Sequence, residues 1–285
     1  MTQQPEQPAR QCCLLLAVVG NPIAHSKSPQ IHKAFGEQLG IDVDYRKTLA
    51  EIGAFASCVA ELRANGARGC NVTIPFKQDA FEYCDRLSER AAQAGAVNTL
   101  IFDTEVCRGD NTDGFGLVHD LVNNLHVAIG GRRILVLGAG GATRGVLAPL
   151  LAQGPQSLHV ANRTAGKART LIELFADAGN LSSSGLADIP ERDFDLIINA
   201  TAASLGQSLP PLPDTLLRNG GAVYDLVYAE AGTPFLHWGE QAGASLAADG
   251  LGMLVEQAAE SFFLWTGRRP RTAEVLEAMR ARPVK

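Results

Sequence analysis

The side chains best equipped for chemistry recur just past apolar runs. Behind the apolar residues 14–19 comes GNPIAHSKSPQIHKAF, where His25, Ser26, Lys27 and Ser28 occupy consecutive places. Gly20, Asn21 and Pro22 already supply turn formers, so the surplus hydroxyls need a different purpose. RGCNVTIPFKQDAF breaks a short strand at Pro75 and presents Lys77 near the following helix. RGDNTDGFGLVHDLV ends another strand on Asn111, Thr112 and Asp113. Residues just past the C-terminal ends of parallel strands share one crevice. Ser26, Ser28, Thr73, Lys77, Asn98 and Asp113 meet that condition, and they suit a small polyhydroxylated ligand.

A second pattern suits a nucleotide. RILVLGAGGATRGVLAPL reads as a buried strand, a glycine-rich turn and a helix. Gly138 permits the sharp turn and Gly140 lets the backbone approach a pyrophosphate, while the helix start offers unpaired N–H groups to that anion. Thr143 replaces the third glycine of G-x-G-x-x-G, so flavin and methyl-donor sites share the pattern, as does a turn with no ligand. The end of the next strand discriminates. HVANRTAGKA carries Asn162, Arg163, Thr164 and Lys167 where an NAD site usually has an acid for the ribose hydroxyls. A carboxylate repels a 2′-phosphate, whereas Arg, Lys and a hydroxyl attract and orient it. That selects NADP. Cations at a helix start oppose the helix dipole, so a merely solvated basic turn is the poorer account. Pro149 inside the helix removes a backbone hydrogen bond and predicts a bend.

These side chains need a layered scaffold. Strands are expected at 14–19, 43–47, 69–72, 98–102 and 105–108, and again at 133–137, 157–161, 196–199, 222–226 and 245–248. Helical periods separate them, as in Ile31, Ala34, Phe35 and Leu39 on one face. Such alternation implies an α/β fold with mostly parallel strands. NNLHVAIGGRR, ending in a glycine pair before a fresh strand, marks a boundary. Bland roles are also open to the candidates. Ser28 before Pro29 has the form of a helix cap, and Asp113 could cap a helix starting at Gly114. Most lysines are surface residues, which is the default for Lys77. Gln257 edges the apolar stripe Leu251, Leu254, Val255, Ala258, Phe262 and Trp265 and would default to the surface. His25 and His32 read as structural, because no third ligand supports a metal.

The totals narrow the class. The 285 residues suffice for two ordinary domains, and 46% hydrophobic with 19% charged residues gives a sizeable core. The formal charge of −5 argues against nucleic acid. Six cysteines without a C-x-x-C pair exclude metal spacing and a secreted disulfide scaffold, which implies reduced thiols in the cytoplasm. QCCLLLAVVG resembles a signal segment only faintly, since Pro5 and Pro8 spoil its start and no small-residue cleavage site follows. A loose tail followed by a first strand is expected. No run approaches the ~20 apolar residues of a membrane span.

GNPIAHSKSPQIH, NVTIPFK, AGAVNTL, GDNTDG, LGAGGATRG, NRT, DLIINAT and ADGLGMLVEQAA together resemble the shikimate dehydrogenase family, in the family's order from about Val18 onward. The resemblance implies an N-terminal α/β substrate domain plus a C-terminal Rossmann NADP-binding domain. The last helices would return to the first, dividing the chain into 1–113 with 250–285 and 114–249. It implies Lys77 and Asp113 as the catalytic pair, and Ser26 and Ser28 as holders of a substrate carboxylate. Thr73, Asn98, Tyr228 and Gln257 match further substrate contacts. Gly138, Ala139, Gly140, Gly141 and Ala142 match the phosphate turn, and Asn162, Arg163, Thr164 and Lys167 the 2′-phosphate site. Leu226 and Gly250 match positions near the nicotinamide, and Glu89 a minor cofactor contact. Where this chain has Leu226 and Lys167 the family often has Met and Arg; Lys loses bidentate geometry. The loop at 201–213 is unlike the commonest versions. The implied reaction is the reversible NADPH-dependent reduction of 3-dehydroshikimate in aromatic amino-acid biosynthesis, by a monomer or homodimer. A quinate or aminoshikimate paralogue and a catalytically silent nucleotide-binding module are the alternatives.

Overall fold

The computed structural model describes residues 13–176, 178–189, 193–201, 212–229 and 231–281. The expected N-terminal tail and most of the unusual 201–213 loop lie outside the described residues.

The first sheet contains β1 (Leu14–Gly20), β2 (Val43–Leu49), β3 (Gly69–Val72), β4 (Arg86–Leu87), β5 (Thr99–Phe102) and β6 (Cys107–Asp110), in the order β2-β1-β3-β5-β6-β4. It is mixed. β1 runs parallel to β2 and β3, and β4 parallel to β6, while β5 is antiparallel to both of its neighbours. The short link from β5 to β6 allows only a hairpin, because a parallel return needs a crossover. One consequence positions the site. β1, β3 and β6 point the same way, so their C-terminal ends share an edge with the start of β5. The residue there is Asn98.

The second sheet contains β7 (Arg133–Leu137), β8 (Ser157–Asn162), β9 (Leu181–Gly185), β10 (Phe194–Asn199), β11 (Leu217–Asp225) and β12 (Leu246–Asp249). Its order, β12-β11-β10-β7-β8-β9, is parallel throughout. This is the doubly wound order whose ligand crevice lies past the strand ends at the β7/β10 switch. Ile134, Leu135, Val136 and Leu137 are buried, as strands covered on both faces must be.

The helices are α1 (Ser28–Leu39), α2 (Phe55–Ala64), α3 (Lys77–Tyr83), α4 (Glu89–Ala94), α5 (Asp113–His119), α6 (Gly141–Leu151), α7 (Ala165–Glu173), α8 (Pro234–Gln241), α9 (Leu251–Thr266) and α10 (Ala273–Ala281). Two local expectations change. Ser28 is the first helical residue and Lys27 the cap; Ser28 N–H instead donates to Ser26 Oγ at 3.3 Å. Thr112 holds the cap position of α5, and Asp113 stands inside its first turn. The helix that starts there changes to a π turn at Asp120–Asn124. Asp120 is wholly buried and accepts hydrogen bonds from Tyr224 Oη at 2.7 Å and Asn124 Nδ2 at 2.9 Å.

The stripe on α9 joins the chain's end to its beginning. Val255, Ala258 and Phe262 pack with Ile31 and Phe35 of α1 and with Val275 and Leu276 of α10. Trp265 Nε1 donates to Leu100 O at 2.9 Å. Gln257 is buried with the stripe instead of lying on the surface. Pro149 lies within α6 and its ring packs against Gly114 of α5. Among the described residues no helix is long and apolar enough to cross a membrane.

Candidate active site

Lys77 opens α3, directly after the Ile74–Pro75 turn that leaves β3. Its ammonium donates to Asp113 Oδ2 at 2.5 Å, with side chains 18% and 8% exposed. Asp113 Oδ1 accepts from Asn98 Nδ2 at 2.8 Å. The orientation of that amide is fixed by a donor that cannot be reversed: Thr112 N–H donates to Asn98 Oδ1 at 2.9 Å. Asn98 Nδ2 therefore faces Asp113, and also reaches Thr112 Oγ1 at 2.9 Å and Gln257 Oε1 at 3.3 Å. Gly145 of α6 backs the arrangement, since a Cβ there would stand 3.1 Å from Asp113 Oδ2.

A second row of polar groups supports the first. Asn71 Nδ2 donates to Thr99 Oγ1 at 3.1 Å and to Ser261 Oγ at 3.0 Å. Its Oδ1 accepts from Tyr45 Oη at 2.7 Å. Thr99 and Ser261 are 2.8 Å apart, and Ser261 lies 3.2 Å from Thr112 Oγ1. Leaving one buried partner unpaired costs about 1–3 kcal/mol, so each member of the set depends on the others to stay satisfied. Ser28 sits beside Tyr45. Tyr228 packs against the α1–α9 cluster with Lys27 Nζ 5.4 Å from its ring centroid, and burial pushes its phenol pKa up.

Between the strand ends of the two sheets lies a cleft of about 920 Å³. Thr73 and Lys77 line one side; Ala139–Ala142, Thr164, Lys167 and Leu226 line the other. Gly138 at φ +107° makes the turn in a backbone conformation that side chains rarely adopt, and a Cβ placed there would stand 3.1 Å from Ala200 O. Gly140 and Gly141 have nothing within 4 Å of a built Cβ, so their backbone faces open space. Among the described residues the lining includes Lys77, Arg144 and Lys167 and no carboxylate. This donor set fits an anionic dinucleotide that carries an extra phosphate.

Some expected residues stand apart from that lining. Asn162 Nδ2 donates to Thr164 O at 2.9 Å and Arg163 is exposed in the same turn. Glu89 is exposed at the start of α4, within 3.4 Å of Gln93 Nε2, and is absent from the cleft lining. Gly250 meets the Leu226 carbonyl, a contact too close for any side chain. A separate hollow of about 370 Å³ beside Phe115, Val118 and Pro149 contains none of these groups.

Known proteins resemble this chain over most of its length. Residues 18–100 match a family model described as the shikimate dehydrogenase substrate binding domain, 120–206 one described as shikimate / quinate 5-dehydrogenase, and 250–280 a shikimate 5'-dehydrogenase C-terminal domain. The chain is 54% identical over 270 residues to shikimate dehydrogenase (NADP(+)) of Dechloromonas aromatica, covering 95% of this chain and 98% of the relative. The chain belongs to the shikimate dehydrogenase family.

Solved structures agree with that membership. An Ael1 enzyme from Pseudomonas putida superposes with TM-score 0.88 at 42% identity, covering 95% of this chain and 100% of that one. Shikimate 5-dehydrogenase from Thermus thermophilus, in complex with NADP(H) and shikimate, gives TM-score 0.84 at 36% identity, with coverage of 94% and 98%. Within this shikimate dehydrogenase fold, sequence reasoning passed over Asn71, Ser261 and Arg144. Asn71 had a signal, a lone amide in the buried strand β3. Ser261 is a small polar residue on a buried helix face, and Arg144 a cation in a helix's first turn.

Proposed function

We propose that this chain catalyses the reversible reduction of 3-dehydroshikimate to shikimate with NADPH, with Lys77 and Asp113 as the catalytic pair. The observation that carries the reading is the position of the Lys77 ammonium, which belongs both to the Asp113–Asn98 cluster and to the lining of the dinucleotide cleft.

The reduction needs a hydride at carbon and a proton at oxygen. NADPH, when bound, supplies the hydride. Lys77 gives the proton to the carbonyl oxygen, and in the reverse direction takes it from the alcohol; general acid–base catalysis of this kind contributes ~10²–10⁴-fold. Asp113 holds the ammonium in place and accepts a hydrogen bond from the neighbouring hydroxyl. Asn98, Thr73 and Gln257 orient further hydroxyls, while Ser26, Ser28 and Tyr228 hold the carboxylate end. The Gly138–Ala142 turn would hold the pyrophosphate, and Thr164 and Lys167, with Arg163 at the rim, the 2′-phosphate. Leu226 and Gly250 would flank the nicotinamide, and Glu89 would touch the cofactor only marginally.

We further propose the division into 1–113 with 250–285 and 114–249, supported by the separate sheets and by the return of α9 to α1. A cytoplasmic enzyme is consistent with the free thiols of Cys13, Cys58, Cys70, Cys84 and Cys107.

The test is turnover of shikimate and of quinate, each with NADP⁺ and NAD⁺, followed by reduced-nicotinamide absorbance. Shikimate with NADP⁺ is expected to give the highest kcat/KM. A preference for quinate would move the assignment to the paralogous reaction, and no turnover of either would favour the silent module.

A further inference from the structure

We propose that Lys27 sets the preference of this site for an anionic ligand, placing an ammonium beside Ser26 and Ser28 and against the ring of Tyr228. The proposal rests on the reading above, in which the two serines hold a carboxylate. Serine hydroxyls are neutral donors. A carboxylate moved from water onto neutral donors alone recovers only part of its lost hydration, so a cation is the missing component.

Lys77 does not supply it, because Asp113 holds its ammonium at 2.5 Å. Lys47 reaches the same loop, but it is exposed and donates to Ala24 O. Lys27 is half-buried, and among the described residues no carboxylate lies within ion-pair distance of its ammonium. Its Nζ is 5.4 Å from the Tyr228 centroid, inside cation–π range. A half-buried lysine with an aromatic partner and no counter-ion among those residues is set to receive an anion. The contact also links the two sheets' loops, since Lys27 follows β1 of the first sheet and Tyr228 follows β11 of the second. An anion at the serines would thus find both its charge partner and the group that brings the two sets of loops together.

The experiment is steady-state oxidation by the full chain, K27M and K27R, at saturating NADP⁺, of shikimate and of its methyl ester. The ester keeps the serine contacts and lacks the charge. Lys27→Met is expected to raise KM for shikimate about fivefold, the worth of one partly exposed charge pair at its upper end. Its kcat should stay within about twofold, because only ground-state and transition-state binding change together. KM for the ester should not move, and Lys27→Arg should stay near the unaltered chain. In the unaltered chain, added KCl should lower kcat/KM for the acid and leave the ester alone. An unchanged shikimate KM in K27M, an equal rise for acid and ester, or an equal salt effect on both would overturn the proposal. Absence of shikimate turnover by the unaltered chain would instead overturn the reading beneath it.

Discussion

Asp113 holds Lys77 through a single oxygen, Oδ2 at 2.5 Å, and leaves Oδ1 to Asn98. The split gives the carboxylate two separable tasks, anchoring the ammonium and taking its own orientation from the amide. Asp113→Asn keeps the shape and removes the charge. Its kcat is expected to fall by about 10²–10⁴, the scale of general acid–base catalysis, with NADP⁺ affinity unchanged. Steady-state kinetics with cofactor titration check this; a kcat near the original would remove Asp113 from the pair.

Gly145 offers a test from behind. A Cβ there would lie 3.1 Å from both Asp113 Oδ2 and Asn111 Oδ1, so the side chains must give by a few tenths of an ångström. Gly145→Ala is expected to lower kcat by about tenfold through misplacement of the carboxylate. The expected loss of stability is about 1–3 kcal/mol, typical of overpacking. Thermal midpoint and kcat measured together separate the two effects. A loss of stability with kcat intact would show that the pair tolerates displacement.

The cofactor side depends on charge. Lys167 lines the cleft and Arg163 stands exposed in the preceding turn. Arg163→Ala and Lys167→Ala are each expected to lower the NADP⁺/NAD⁺ ratio of kcat/KM by tenfold or more, about 1.4 kcal/mol for a charge-assisted phosphate contact. The gain of the hydroxyl-only cofactor should be small. An unchanged ratio in both variants would refute the phosphate assignment.

His32 gives a pH signature. It is fully buried and stacked on Tyr45 with ring centroids 4.3 Å apart. Neither ring nitrogen has a hydrogen-bond partner among the described residues, though Asn71 nearby slightly favours the charged form. Burial lowers its pKa from 6.5 to about 3. The folded chain thus excludes a proton that the unfolded chain binds. Stability is whole above pH 6.5 and falls as the pH drops toward 3, by about 1.4 kcal/mol per unit for this one group. His32→Phe is expected to reduce that slope by one proton, read from urea midpoints across the range. An unaltered slope would place the acid sensitivity elsewhere.

Much of this was legible in the chain. Parallel strands buried on both faces read as apolar runs, so β7, β8, β10 and the glycine turn stood out. β4, with two residues, and β9, with the sequence LSSSG, carry no such run and were not expected. The direction of β5 was hidden too, because strand periodicity does not encode pairing sense. Lys77, Asn98 and Asp113 were visible because strand ends gather at one edge. Asn71 and Ser261 were not, since they act from inside a strand and a helix face that composition assigns to the core. Ser28 before Pro29 looked like a cap, yet Lys27 takes that place and the Ser26 hydroxyl receives the Ser28 N–H.

The most direct measurement is single-turnover and steady-state shikimate oxidation by Lys77→Ala, with NADP⁺ affinity read in parallel by fluorescence. The expected result is a loss of at least about a hundredfold in kcat while NADP⁺ binds as before. Turnover retained at close to the original rate would contradict the assignment of the moving proton to this ammonium.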